Sequence, residues 1–295
     1  MPDIIDTWNE GKVADVEGYY ENAKINRVYV DRVHVKKAFA EYTAAYNADD
    51  PKIKLKIDHT YRVAALCERI AKAAGMCAYD VELAWLSGML HDVGRFEQIK
   101  RYNTFSDADS VDHAKFGADL LFKDGLISTF LNGMVKCTGY KPGALEDRYS
   151  SDGVFLYDRL NKSDMEMLEL AIRCHNMYRI PQGLNRREQA FCNVLRDADK
   201  VDIFKVNIDT PLEEIYNTTT EELMKSDITD EVLEAFDEEH CILKAIRRTP
   251  ADTVIGHVSL AYELVYDESV RITVEQGYLC LLYTSPSPRD MRRSR

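Results

Sequence analysis

The chain has 295 residues, 45% of them hydrophobic, and carries 38 Lys+Arg against 50 Asp+Glu for a formal charge of −12. That is enough apolar material for one large core or two small ones, while the acidic balance excludes a protein that coats nucleic acid, which needs a basic surface. No apolar run approaches the roughly 18 residues of a membrane span, the N-terminus MPDIIDTWNEGK lacks the basic-then-apolar order of a secretory signal, and the seven Cys show no CxxC or finger spacing, so they read as reduced thiols of a cytoplasmic protein.

Residues 1–50 are acidic and aromatic, with Tyr19, Tyr20 and Tyr29, and read as an N-terminal extension packed on a helical domain; short strands stay open near Arg27 to Val35. Asp58 is placed to cap a helix whose apolar face carries His59, Val63, Leu66 and Ile70, ended by Gly75. Asp80 would cap the next helix, with Leu83, Leu86, Leu90 and His91 on one stripe, and Gly94 should break or loosen it. HDVGRFEQIKRYNTFSDADS reads as a loop, Val111 to Phe122 as a helix ending near Gly125, and TGYKPGALEDRYSSDG as a second loop. Helices are expected over Met165–His175, Arg187–Phe204, Ser226–Arg248 and Thr253–Gly277. The fold class is therefore all-α: an extension over 1–50, a central domain over 51–210 and a C-terminal helical extension over 211–279. Residues 280–295, CLLYTSPSPRDMRRSR, lack periodicity and resemble a translated sequencing adaptor, so they read as a non-native tail.

Four side chains share a logic. His59 lies on the apolar face of its helix, His91 and Asp92 end an apolar helix at a glycine turn, and Asp199 follows Leu195 by one turn in LRDADKVD. Any one of them alone is more often a hydrogen-bonded core histidine or a helix cap. Together they bring metal-ligand types to the buried sides of helices, where an unpaired charge is costly and a divalent ion relieves the cost.

With HTYRVA at 59–64, LSGMLHDVGR at 86–95 and LRDADKVD at 195–202 on the page, the sequence resembles the HD superfamily of metal-dependent phosphohydrolases over about residues 55–210, and HDVGRFEQ with DHAKFG is similar to a bacterial branch of it. The resemblance implies that His59, His91, Asp92 and Asp199 bind one divalent ion. It implies that His113, in SVDHAKFG, and His175, in IRCHNMYR, hold a second, with Asp92 bridging the two. Binuclear relatives often carry His-His where this chain has His175-Asn176, which puts a third ion in doubt. The implied cofactors are one or two transition ions, Mn, Fe, Co or Ni. The implied chemistry is attack on phosphorus by a metal-activated hydroxide, a metal lowering the pKa of its water from 15.7 toward about 7, with His91 and Asp92 at the reacting centre.

A nucleotide or other small phosphate ester is the expected substrate, with phosphate donors sought among Arg95, Lys100, Arg101, Arg179 and Lys200 and stacking surfaces among Tyr102, Phe105 and Tyr178. Arg62, one turn from His59, is a candidate for a structural pair with an acid. No GYP follows the His-Asp pair and no HDxxED is present, which argues against cyclic-di-GMP and alarmone hydrolases. A di-iron oxygenase of the same fold and a non-catalytic signalling module are the alternative readings. Homo-oligomerisation is left open.

Overall fold

The structure is a computed structural model that describes residues 30–47, 49–131, 160, 162–211 and 218–284. All regular elements among them are helical, as the sequence predicts; the second expected loop, 138–153, and residues 285–295 lie outside the described residues. Thirteen α-helices lie among the described residues: α1 Arg32–Thr43, α2 Pro51–Ala73, α3 Ala78–Leu90, α4 Val93–Tyr102, α5 His113–Ala118, α6 Ile127–Leu131, α7 Lys162–Cys174, α8 Arg186–Asp209, α9 Thr220–Lys225, α10 Asp230–Asp237, α11 Pro250–Val258, α12 Asp267–Gln276 and α13 Tyr278–Thr284.

The long helix α2 is central. It starts seven residues before the predicted cap: Asp50 accepts from the Lys52 N–H and Pro51 occupies the first turn, where its missing N–H costs nothing, so Asp58 lies inside the helix. Val63, Ala64, Cys67, Ile70 and Ala71 are buried against α3, whose nine residues from Val81 to Leu90 apart from Glu82 are all buried. Asp80 sits in the first turn of α3 and pairs with Arg187 instead of capping. Gly88 makes the α2–α3 approach: a Cβ there would lie 2.7 Å from the Ala64 Cα, well inside contact distance, so only glycine lets the two main chains meet.

Half of the first expected loop is a helix. The α3 helix ends at Leu90, His91 and Asp92 form a turn, and α4 begins at Val93. Gly94 does not break it; it is buried within α4, where a Cβ would stand 2.5 Å from the His113 O and 2.7 Å from the Gly117 N of α5. The apolar residues Val93, Phe96 and Ile99 anchor α4, with Phe96 edge-on to Phe39 of α1 at 5.8 Å. Thus α1, from the predicted extension, contributes Val35, Ala38 and Phe39 to the same core as α2, α3, α7 and α8.

Helix α8 opens with a capping box between Asn185 and Glu188 and runs 24 residues. The expected helices over 226–248 and 253–277 are interrupted, the first by an irregular stretch around Cys241–Leu243, the second at Ser259–Tyr266. These pieces form small clusters, Val232 and Ile242 with Ala251, and Val258 with Phe204 and Leu282. Leu282 is therefore packed, inside the stretch 280–295 that reads from sequence as a non-native tail. No helix among the described residues is long and apolar enough to cross a membrane, and Cys67, Cys77, Cys174, Cys192 and Cys241 are free thiols.

Candidate metal centre

Five of the six residues proposed from sequence as ligands are within 5% of full burial, and the sixth, Asp199, keeps 15% of its side chain exposed. His59 comes from the middle of α2, His91 and Asp92 from the α3–α4 turn, His113 from the start of α5, His175 from just beyond α7 and Asp199 from α8. The Gly88 contact brings α2 against α3 and sets the His59 Nε2 3.3 Å from the His91 Nε2. The Gly94–Gly117 contact carries α5 against α4 and sets the His113 Nε2 3.5 Å from the Asp92 Oδ1. Asp92 itself has φ −104° and ψ 15°, in the bridge region where active-site residues recur.

The cluster has two halves that share Asp92. On one side the Asp92 Oδ2 lies 3.6 Å from the Nε2 of both His59 and His91, and the Asp199 Oδ1 lies 3.1 and 3.8 Å from the same two nitrogens. On the other side the Asp92 Oδ1 lies 3.5 and 3.8 Å from the Nε2 of His113 and His175, which are 3.1 Å apart.

The other ring nitrogens fix the tautomers. The Nδ1–H of His91 donates to the Gly88 carbonyl at 2.7 Å and that of His175 to the Ile172 carbonyl at 2.7 Å. The Nδ1–H of His59 donates to the Asp202 carboxylate at 2.6 Å and that of His113 to Asp107 at 2.7 Å. Carbonyls and carboxylates only accept, so in the neutral rings every Nε2 is a lone pair. Four lone pairs and two carboxylates then converge in one buried place, with Nε2 atoms 3.1 and 3.3 Å apart. Protons are a poor remedy. Burial lowers the pKa of His91 to about 4, and burial with the Arg95 charge lowers that of His113 to about 3. Burial and Lys56 also pull His59 down, but the Asp199 and Asp202 carboxylates outweigh them and raise it. This donor set fits divalent metal, and two groups of ligand atoms that could hold an ion, His59–His91–Asp199 and His91–Asp92–His175, fall in it.

Asp92 and Asp199 are the acids at the centre. Burial works against the Asp92 carboxylate, yet Lys56, His91, His113 and Arg95 hold it far below the usual carboxylate range; Asp199 is held down against burial by His59, His91 and His175. The Lys56 Nζ is 2.7 Å from the Asp92 Oδ2. Sequence reading passed over Lys56, although it precedes His59 by three residues and shares its face. It also passed over Asp202, one turn beyond Asp199 inside the LRDADKVD motif, and Asp107, which sits in irregular chain with no periodic signal. Arg62 pairs with an acid, as anticipated: its Nε and Nη2 reach Asp202 at 2.6 and 2.9 Å.

The basic and aromatic residues singled out for substrate are placed differently from one another. Arg95 is at the centre, its Nε 3.7 Å from the Asp92 Oδ1 and its Nη1 donating to Asp107, Gln98 and the Phe105 carbonyl. Lys100, Arg101 and Tyr102 are exposed in the last turn of α4, with Lys100 and Arg101 both paired to Glu97. At 1.5 Å per residue they lie roughly 12 to 15 Å along the helix from Asp92. Lys200 is buried beside Arg196, both facing Glu263 at 3.1 Å. Asn176, the residue after His175, donates to Asp112 and Asp107.

A family model described as HD domain matches residues 57–207, more than half of the chain and a span that encloses all six ligand candidates. No curated protein and no solved structure matches.

Proposed function

Because the chain belongs to the HD domain family, whose members are mostly metal-dependent phosphohydrolases, we propose that it hydrolyses a small phosphate ester at a binuclear metal centre. In this reading His59, His91, Asp199 and one Asp92 oxygen hold one ion, while His113, His175 and the other Asp92 oxygen hold the second. The observation that carries it is the convergence of four imidazole lone pairs on the two oxygens of one carboxylate, in a place where burial keeps His91 and His113 unprotonated.

Divalent ions bound there supply a nucleophile at neutral pH and counter-charge for the phosphoryl oxygens. The chain's own residues supply the rest. Asp92 sets the spacing of the two halves, because its oxygens are fixed to one carbon. Lys56, 18% exposed at its side chain and beside the Phe105 ring, stands with Asp199 where solvent reaches the cluster, and is the cation placed to receive a phosphate oxygen. Lys100, Arg101 and Tyr102 would meet only a part of the substrate extending well beyond its phosphate, as a nucleoside does. Lys200, turned to Glu263, has no contact of this kind with Asp92.

The test is metal content of the purified protein together with phosphate release from a panel of nucleotides and an aryl phosphate. Two transition ions per chain with phosphate released is the expected result. Metal with oxygen consumption and no phosphate release would replace the reading by an oxidative one. No metal and no turnover in folded protein offered manganese or iron would leave a non-catalytic module.

A further inference from the structure

The four imidazoles are anchored in two ways, and each half of the centre has one of each kind. His91 and His175 lean on carbonyls three residues earlier, Gly88 and Ile172, a contact inside their own chain segment. His59 and His113 are held from elsewhere, by Asp202 at 2.6 Å and Asp107 at 2.7 Å. Each of these carboxylates is itself gripped by an arginine near the ligands: Arg62, three residues after His59, chelates Asp202 through two bonds, and Arg95, three residues after Asp92, donates to Asp107 at 2.9 Å. Gln98 and Asn176 add donors to Asp107 at 3.0 and 3.3 Å.

We propose that Arg62–Asp202–His59 and Arg95–Asp107–His113 are two matched relays, one per half, in which Asp202 and Asp107 are positioning residues that set the metal affinity of their own half. This rests on the binuclear reading above. It also assigns Arg95 to positioning rather than to substrate phosphate.

The physical reasons are three. A carboxylate accepting the Nδ1–H pins the tautomer that leaves Nε2 free and makes that nitrogen a better donor. The arginine occupies the remaining carboxylate lone pairs and favours the ionised form, so the carboxylate does not turn away from the ring. And a cross-element anchor fixes the ring in space: Asp202 ties α2 to α8, and Asp107 ties α5 to the segment after α4, whereas a carbonyl one turn back orients a ring only relative to its own helix. Outer partners of this kind are worth about 10- to 100-fold in metal affinity.

The experiment is manganese titration, read by loss of the free-ion resonance signal, in single-half backgrounds. In His175→Ala protein, which keeps the first half, Asp202→Asn should weaken manganese binding about 10- to 100-fold and Asp107→Asn should leave it unchanged. In Asp199→Ala protein, which keeps the second half, the two substitutions should exchange effects. Melting in chelator tracks folding independently, and Arg62→Lys and Arg95→Lys, which loosen each grip without removing the carboxylate, should give a smaller loss in the same half. Unchanged affinity, or equal losses in both halves, would overturn the relays. Failure of the protein to release phosphate from any substrate would instead sink the hydrolase reading and leave the manganese result standing.

Discussion

The two halves of the histidine cluster use the same chemistry but different scaffolding. The first half draws on the long helices α2 and α8 and the end of α3, and gathers four donor groups: His59, His91, Asp199 and the Asp92 Oδ2. The second is made from the first residue of the short helix α5, a residue just past α7 and the Asp92 Oδ1, with its outer carboxylate on irregular chain. Long helices with a continuous buried face fix a ligand by that whole packing surface, while helix ends rely on the few bonds made there. The first half should therefore hold its ion more tightly and the second should have more room for water and substrate.

The largest effect should come from the residue the halves share. Asp92→Ala is expected to empty both and abolish phosphate release; metal analysis that still finds an ion in the variant would mean that the halves are independent. Next in size are the unshared ligands. Asp199→Ala and His175→Ala should each leave about one ion per chain, with a loss at the damaged half of more than about a hundredfold, beyond the range for an outer partner. If chelator competition shows the ion left in Asp199→Ala to be the tighter of the two, the ranking of the halves is reversed.

The helix contacts offer a gentler way to separate the two. Gly88→Ala pushes on the Ala64 main chain and should disturb the first half, whereas Gly94→Ala pushes on His113 and Gly117 and should disturb the second. Each should cost about 1–3 kcal/mol or more of stability, measurable by denaturant melts, and each should weaken manganese binding in its own half. Equal binding losses for both would show that the halves respond as a unit.

The smallest effect is one of pH on the metal-free protein. His91 and His113 in the unfolded chain take up protons near 6.5, but in the folded protein only near 4 and 3, because burial opposes the charge. Their contribution is complete above about pH 6.5 and is lost as pH falls through that window. His59, raised by its carboxylates, acts in the opposite direction, so two groups oppose one. The melting temperature in chelator should fall from pH 7 to pH 4, and bound metal should flatten the decline. A rising profile would mean that His59 dominates.

Much of this was readable in the sequence because helical periodicity reports which side of a helix is buried, and ligands on buried sides stand out. His59 and Asp199 were visible in that way, and the motifs around them carried the family. What periodicity does not report is where a helix starts. Asp58 looked like a cap because an apolar run follows it, yet Pro51 after Asp50 fixed the start a full two turns earlier. Gly94 looked like a breaker for a similar reason: its low helix propensity is outweighed by the close approach of α5, which exists only in the folded chain. Asp107 left no signal at all, since a carboxylate in irregular chain looks like any solvated acid until a histidine from the next helix meets it.

The meeting of α2 and α3 at Gly88 also limits how this centre can drift. A methyl group at position 88 would collide with the Cα and N of Ala64, at 2.7 and 2.9 Å, atoms that every amino acid possesses. Trimming the side chain at position 64 therefore returns no space, and the pair has no reciprocal exchange of the large-for-small kind by which cores usually repair themselves. The remaining relief is to move the helices apart, which also draws His59 away from His91. Selection for metal at that half would thus act on a position that supplies no ligand and meets His91 through its main-chain carbonyl, and a second-site suppressor of Gly88→Ala would have to be sought in the helix spacing rather than in the neighbouring side chain.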